Sequence, residues 1–84
     1  MYTIEWTIKA LKQLKRIQTS QQKRIVAGVK SLTQWPDCKN VKALASHRYQ
    51  YRLRVGRYRV FFSIEETVKI ARVEEVKKRD ERIY

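Results

Sequence analysis

Fourteen residues constrain this chain more than any others: Tyr49-Gln-Tyr-Arg-Leu-Arg-Val-Gly-Arg-Tyr-Arg-Val-Phe-Phe62. They alternate as two strands do around a tight turn. A two-residue loop at Gly56-Arg57 pairs Val55 with Tyr58, Arg54 with Arg59 and Leu53 with Val60. One face of the hairpin then carries Tyr49, Tyr51, Leu53, Val55, Tyr58, Val60 and Phe62, a row suited to a core. The other carries Gln50, Arg52, Arg54, Arg59 and Phe61. Like charges directly opposite one another destabilise a sheet, so stacked arginines gain nothing structurally. A polyanion lying on that face would give them a purpose; a merely solvated basic face is the plain alternative.

The charge balance agrees. Twenty Lys and Arg against eight Asp and Glu leave +12 on 84 residues, and the pI is about 10.3. Nucleic acid fits this best, although acidic proteins and membrane surfaces attract the same charge. The length allows one domain, residues 1–84. Hydrophobic residues make up 43% of it, and their patterning argues for a modest core and against a disordered basic tail. A single cysteine, Cys38, forbids an internal disulfide, fits a reducing cytoplasm and reads as a loop residue rather than a nucleophile. Nothing resembles a membrane span or a signal peptide, so no membrane role is expected.

Tyr2 to Thr7 alternates as a short strand, and Thr7 can cap a helix beginning at Ile8. Ile8, Leu11, Leu14 and Ile17 recur at helical spacing and are expected to face inward. Ser20 is placed to cap a second helix, with Ile25, Val26, Val29 and Leu32 inward and Gly28 allowing close packing. That helix ends near Gln34, because Pro36 disfavours helix at the residue before it. Trp35 to Arg48 reads as a connection with room for a short element around Val41 to Leu44. After the hairpin come a turn at Ile64 to Thr67 and a strand from Val68 to Val76, apolar on both parities as an interior strand would be. The expected fold is α+β: a mostly antiparallel four-stranded sheet with two N-terminal helices packed on it, in the order β-α-α-β-β-β, then a short C-terminal tail or helix.

Two glycines allow no phosphate loop, and one His with one Cys cannot supply a His/Cys metal set, so neither metal nor cofactor is expected. His47 is a loop residue, an RNA contact or a proton carrier. The arginines are the remaining chemical resource, being planar, charged and suited to phosphate.

The segments Lys42-Ala-Leu44, Tyr51-Arg-Leu-Arg-Val-Gly-Arg-Tyr-Arg-Val-Phe-Phe62 and Val76-Lys-Lys-Arg-Asp-Glu-Arg-Ile-Tyr84, with Ala10-Leu-Lys-Gln-Leu14 before them, resemble the RelE/ParE superfamily of type II toxins over essentially the whole chain. The RelE branch implies a ribosome-dependent mRNA endoribonuclease acting in the A site and partnered by a RelB-like antitoxin. It implies attack by the substrate 2′-OH, giving a 2′,3′-cyclic phosphate and a 5′-OH. By position, the resemblance makes Arg59 the phosphate-binding arginine, Arg79 the support of the leaving group, Tyr84 the base-stacking tyrosine and Arg52 a further catalytic cation. It places Gln50, Arg54, Arg57, Lys77, Lys78 and His47 among the RNA contacts. Gln50 stands where a RelE-type lysine is expected, and neither glutamine nor arginine accepts a proton at neutral pH. The base is then His47, a nearby lysine or a ribosomal group. The ParE branch, whose members inhibit DNA gyrase without nuclease chemistry, is the competing implication.

Overall fold

In the computed structural model, which describes residues 1–79, the hairpin forms in the expected register: Leu53 opposite Val60, Arg54 opposite Arg59, Val55 opposite Tyr58. Gly56 takes φ 56°, a left-handed conformation open to glycine. The elements are β1 (Thr3–Trp6), α1 (Ile8–Lys15), α2 (Thr19–Lys30), a 3₁₀ turn (Ser31–Gln34), β2 (Val41–Ala43), β3 (Tyr51–Val55), β4 (Tyr58–Glu65) and β5 (Ile70–Lys78). The sheet order is β1-β5-β4-β3-β2. The pair β1–β5 is parallel and the others are antiparallel. The class is the expected α+β, with five strands rather than four because Val41–Ala43 pairs with β3.

Both helices cover one face of the sheet. Thr7 fixes α1: its Oγ1 accepts the Ala10 N–H and donates to the Glu74 carbonyl of β5. From that anchor, steps of about 100° per residue turn Ala10 and Leu14 toward the sheet, and Ile17, just past the helix end, packs partly against the same core. Ile8 and Leu11, expected inward, are 74% and 39% exposed. The same i, i+4, i+7 geometry buries Ile25, Val29 and Leu32 and leaves Val26 outside. Helix α2 begins at Thr19 after Gln18, so Ser20 lies within it and is not its cap. Gly28 does permit close approach, since a Cβ there would sit 2.7 Å from Val55 Cγ2.

The last strand is an interior one, between β1 and β4, and part of its double apolar parity comes from a bulge. Phe61 lies opposite Glu75 and Phe62 opposite Val73, so Glu74 is an extra residue in β5. This bulge changes the alternation, and Ala71, Val73 and Val76 all face the core. Val68 precedes the strand and is exposed in the turn.

Candidate nucleic-acid interface

The helices leave the other sheet face open, and strand register decides what it presents. Arg54 lies opposite Arg59, and Arg59 opposite Lys77, giving a row of three cations across β3, β4 and β5. The adjacent row runs Lys42, Arg52, Phe61, Glu75. Just past β5, the Arg79 N–H donates to the Arg57 carbonyl at 2.5 Å, which brings Arg79 alongside the hairpin turn. A small cleft of about 80 Å³ is lined by Arg52, Arg54, Arg59 and Arg79 with Gly56 and Tyr58. The Arg52 Nε atom is buried and meets no hydrogen-bond partner among the described residues. A buried donor left unmatched is costly.

Four expected site residues thus converge: Arg52, Arg54, Arg59 and Arg79. Lys77 borders them through Arg59. Arg57 and Lys78 instead line a neighbouring polar recess with Arg24. Gln50 is engaged structurally, since its Oε1 accepts the Ile64 N–H at 2.7 Å. Tyr84 lies outside the described residues.

Next to the arginines is an aromatic cluster. Period-two alternation puts Tyr49 on the core face, yet its ring lies 5.6 Å from that of Phe61 on the open face. The reason is that β3 starts only at Tyr51, so strand alternation does not extend to Tyr49. The preceding chain bends instead, with Ser46 at φ 51°. His47 stacks on Phe61 at 5.3 Å with ring planes 12° apart, and its Nδ1 accepts the Tyr49 N–H at 3.0 Å.

Beneath this cluster lies Glu75, only 6% exposed. Its Oε1 accepts the Tyr49 hydroxyl at 2.8 Å, and Lys9 and Lys77 each approach its carboxylate to 3.5 Å. Burial pushes the Glu75 pKa up, but the Tyr49 hydrogen bond, the Lys77 and Lys9 charges and a Gln13 hydrogen bond outweigh it and hold the value below that of an ordinary glutamate. Burial, then the hydrogen bond to Glu75 and its charge, raise the Tyr49 phenol, which stays protonated as the donor. Sequence reasoning missed Glu75, although one signal was available: the acid pair Glu74-Glu75 between Val73 and Val76 in a strongly basic chain.

A depressed carboxylate pKa gives this network a pH signature. Its stabilisation is complete above the unfolded-state value of about 4.3 and is lost as pH falls through the lower folded value. Urea midpoints measured from pH 6 down to about pH 3 should therefore fall, and Glu75→Gln should flatten that dependence. An equal slope in parent and variant would remove Glu75 as a source.

Elsewhere the chemistry is plain. Arg72 pairs with Glu5 at 2.5 Å and with Glu65, which places an ion-paired cluster, not a free cation, at the opposite end of the open face. Cys38 donates to the Ser31 carbonyl, and burial followed by the Asp37 charge raises its pKa, disfavouring thiolate. Among the described residues, no three His, Cys, Asp or Glu side chains gather as a metal would require, and no helix is long and apolar enough to cross a membrane.

Three solved structures share this architecture. The RelBE2 toxin–antitoxin complex from Mycobacterium tuberculosis superposes with a TM-score of 0.80 at 21% identity, covering 93% of this chain and 98% of that one. The isolated E. coli RelE toxin gives 0.82 at 14% identity, covering 98% and 88%. The RelE–RelB complex from Pyrococcus horikoshii gives 0.76 at 20% identity, covering 96% and 98%. At these identities the likeness is one of fold. No curated protein sequence matches. The family model described as "ParE toxin of type II toxin-antitoxin system, parDE" matches residues 4–82. That match spans nearly all of the chain, which is therefore a type II toxin belonging to the ParE toxin family of the RelE/ParE superfamily.

Proposed function

We propose that this toxin is a ribosome-dependent mRNA endoribonuclease that arrests translation in the cytoplasm by cutting codons in the A site. The observation that supports this reading is the cleft lined by four arginines, Arg52, Arg54, Arg59 and Arg79. Such a cleft suits a phosphodiester whose charge grows during reaction. In the proposed step the RNA 2′-oxygen bonds to phosphorus as the P–O5′ bond breaks. The 2′-OH proton goes to a base and a proton is delivered to the departing 5′-oxygen. Arg59 and Arg52 hold the non-bridging oxygens and Arg79 stabilises the leaving oxygen. Tyr84 stacks on a base. Arg54 and Lys77 extend the cationic row to flanking phosphates, and Arg57 and Lys78 continue it around the hairpin turn. No metal or cofactor enters the step.

We further propose a RelB-like antitoxin as partner, since the M. tuberculosis neighbour is described as the RelBE2 toxin–antitoxin complex and the P. horikoshii one as a RelE–RelB complex. An acidic amphipathic segment would complement both the +12 charge and the exposed Ile8 and Leu11 of α1.

The family description favours a second reading, a ParE-like gyrase inhibitor that acts by protein binding. Primer extension on an mRNA translated with purified ribosomes and toxin separates the two. Cuts at codon positions support the nuclease. Intact message together with blocked gyrase supercoiling supports the inhibitor.

A further inference from the structure

We propose that the exposed His47 ring, packed on the buried Phe61 and beside Tyr49, forms a nucleobase-stacking subsite next to the arginine cleft, with the buried Glu75 carboxylate as its positioning residue. It deepens the nuclease reading, because it rests on single-stranded RNA being the ligand of the cleft.

Three observations carry it. The first is placement. Phe61 is two residues beyond Arg59 on the same strand face, roughly 7 Å along it, and directly opposite Arg52. A strand of RNA with a phosphate among the arginines would bring a neighbouring base over the His47 ring that covers Phe61. The second is orientation. The exposed His47 ring lies nearly parallel to Phe61, so one π-face is packed and the other is presented outward. The Tyr49 N–H on Nδ1 fixes the rotation of the imidazole, and the Tyr49 hydroxyl is fixed in turn by Glu75. The platform is therefore assembled before any ligand arrives. The third is charge. Arg48 lies 5.6 Å over the Tyr49 ring, and Lys9 and Lys77 flank Glu75. Aromatic faces among cations match the two chemistries of a nucleotide, a π-surface and a phosphate.

The test compares the affinity of the full chain for a single-stranded RNA hexamer with that for the same hexamer made abasic at one central position, at fixed salt. Both probes carry the same phosphates, so the electrostatic contribution cancels in the ratio. The parent should bind the intact hexamer about tenfold more tightly. His47→Ala should bring the ratio close to one, while His47→Phe, which keeps a ring, should preserve it. Glu75→Gln should lower the ratio even though it removes a negative charge, a result that lost stability alone would not give. A parent with no preference, or His47→Ala with the parent's preference, overturns the subsite and leaves the rings as packing under the loop. Absence of ribosome-dependent cuts with the ratio intact would remove the nuclease reading and leave the subsite standing.

Discussion

Replacing Arg59 by alanine is expected to lower ribosome-dependent cleavage about 10²–10³-fold, the usual cost of removing one donor that stabilises developing charge. The fold should survive. Arg59 faces Arg54 on one side and Lys77 on the other, so removing it relieves repulsion rather than breaking a pair. Thermal stability should be unchanged or slightly higher. Arg59→Lys restores charge without the planar two-pronged donor and should recover only part of the rate. Arg72→Ala is the control, because it removes a cation from the same sheet face that is already neutralised by Glu5 and Glu65. It should cost some stability and little cleavage. An Arg59→Ala protein that cuts at the parent rate, with its circular dichroism spectrum intact, would take Arg59 out of the mechanism.

The hairpin and its arginine row were legible in the sequence because both depend on local rules. A two-residue turn sets the register, and a period of two sets the face. The face of α1 was not, because apolarity alone nominates Ile8 and Leu11, whereas the inward residue is the small Ala10. What selects Ala10 is the Thr7 anchor on Glu74, a contact 67 residues distant in sequence. The aromatic cluster was hidden for a similar reason. Period-two reading carries Tyr49 into the core row, but the ladder stops at Tyr51. The Gln50 side chain, rather than continued strand pairing, joins the chain to Ile64. Glu75 reaches the open face through the Glu74 bulge, which no alternation pattern displays. Charge and turn chemistry thus exposed the arginine half of the candidate site. The half built from a bulge and a bent loop required coordinates.

The largest stability effect is expected at Phe62. Its side chain is completely buried, stacks on Tyr51 at 5.5 Å and meets the edge of Trp35 at 5.6 Å. It therefore joins the sheet to the segment just beyond the 3₁₀ turn. Phe62→Ala should cost about 3–5 kcal/mol, combining lost burial with the cavity left behind. A domain of this size has roughly 4–13 kcal/mol in total, and each kcal/mol is worth about 4–8 °C of melting temperature. The variant should melt at least about 12 °C below the parent. Phe62→Leu keeps most of the volume and should lose much less. Val68→Ala, in the exposed turn before β5, should stay within about 0.5 kcal/mol of the parent. If Phe62→Ala melts within a few degrees of Val68→Ala, the centre of the sheet is not where the stability resides. The more solvent-facing contacts of Trp35 and Tyr51 would then have to carry it.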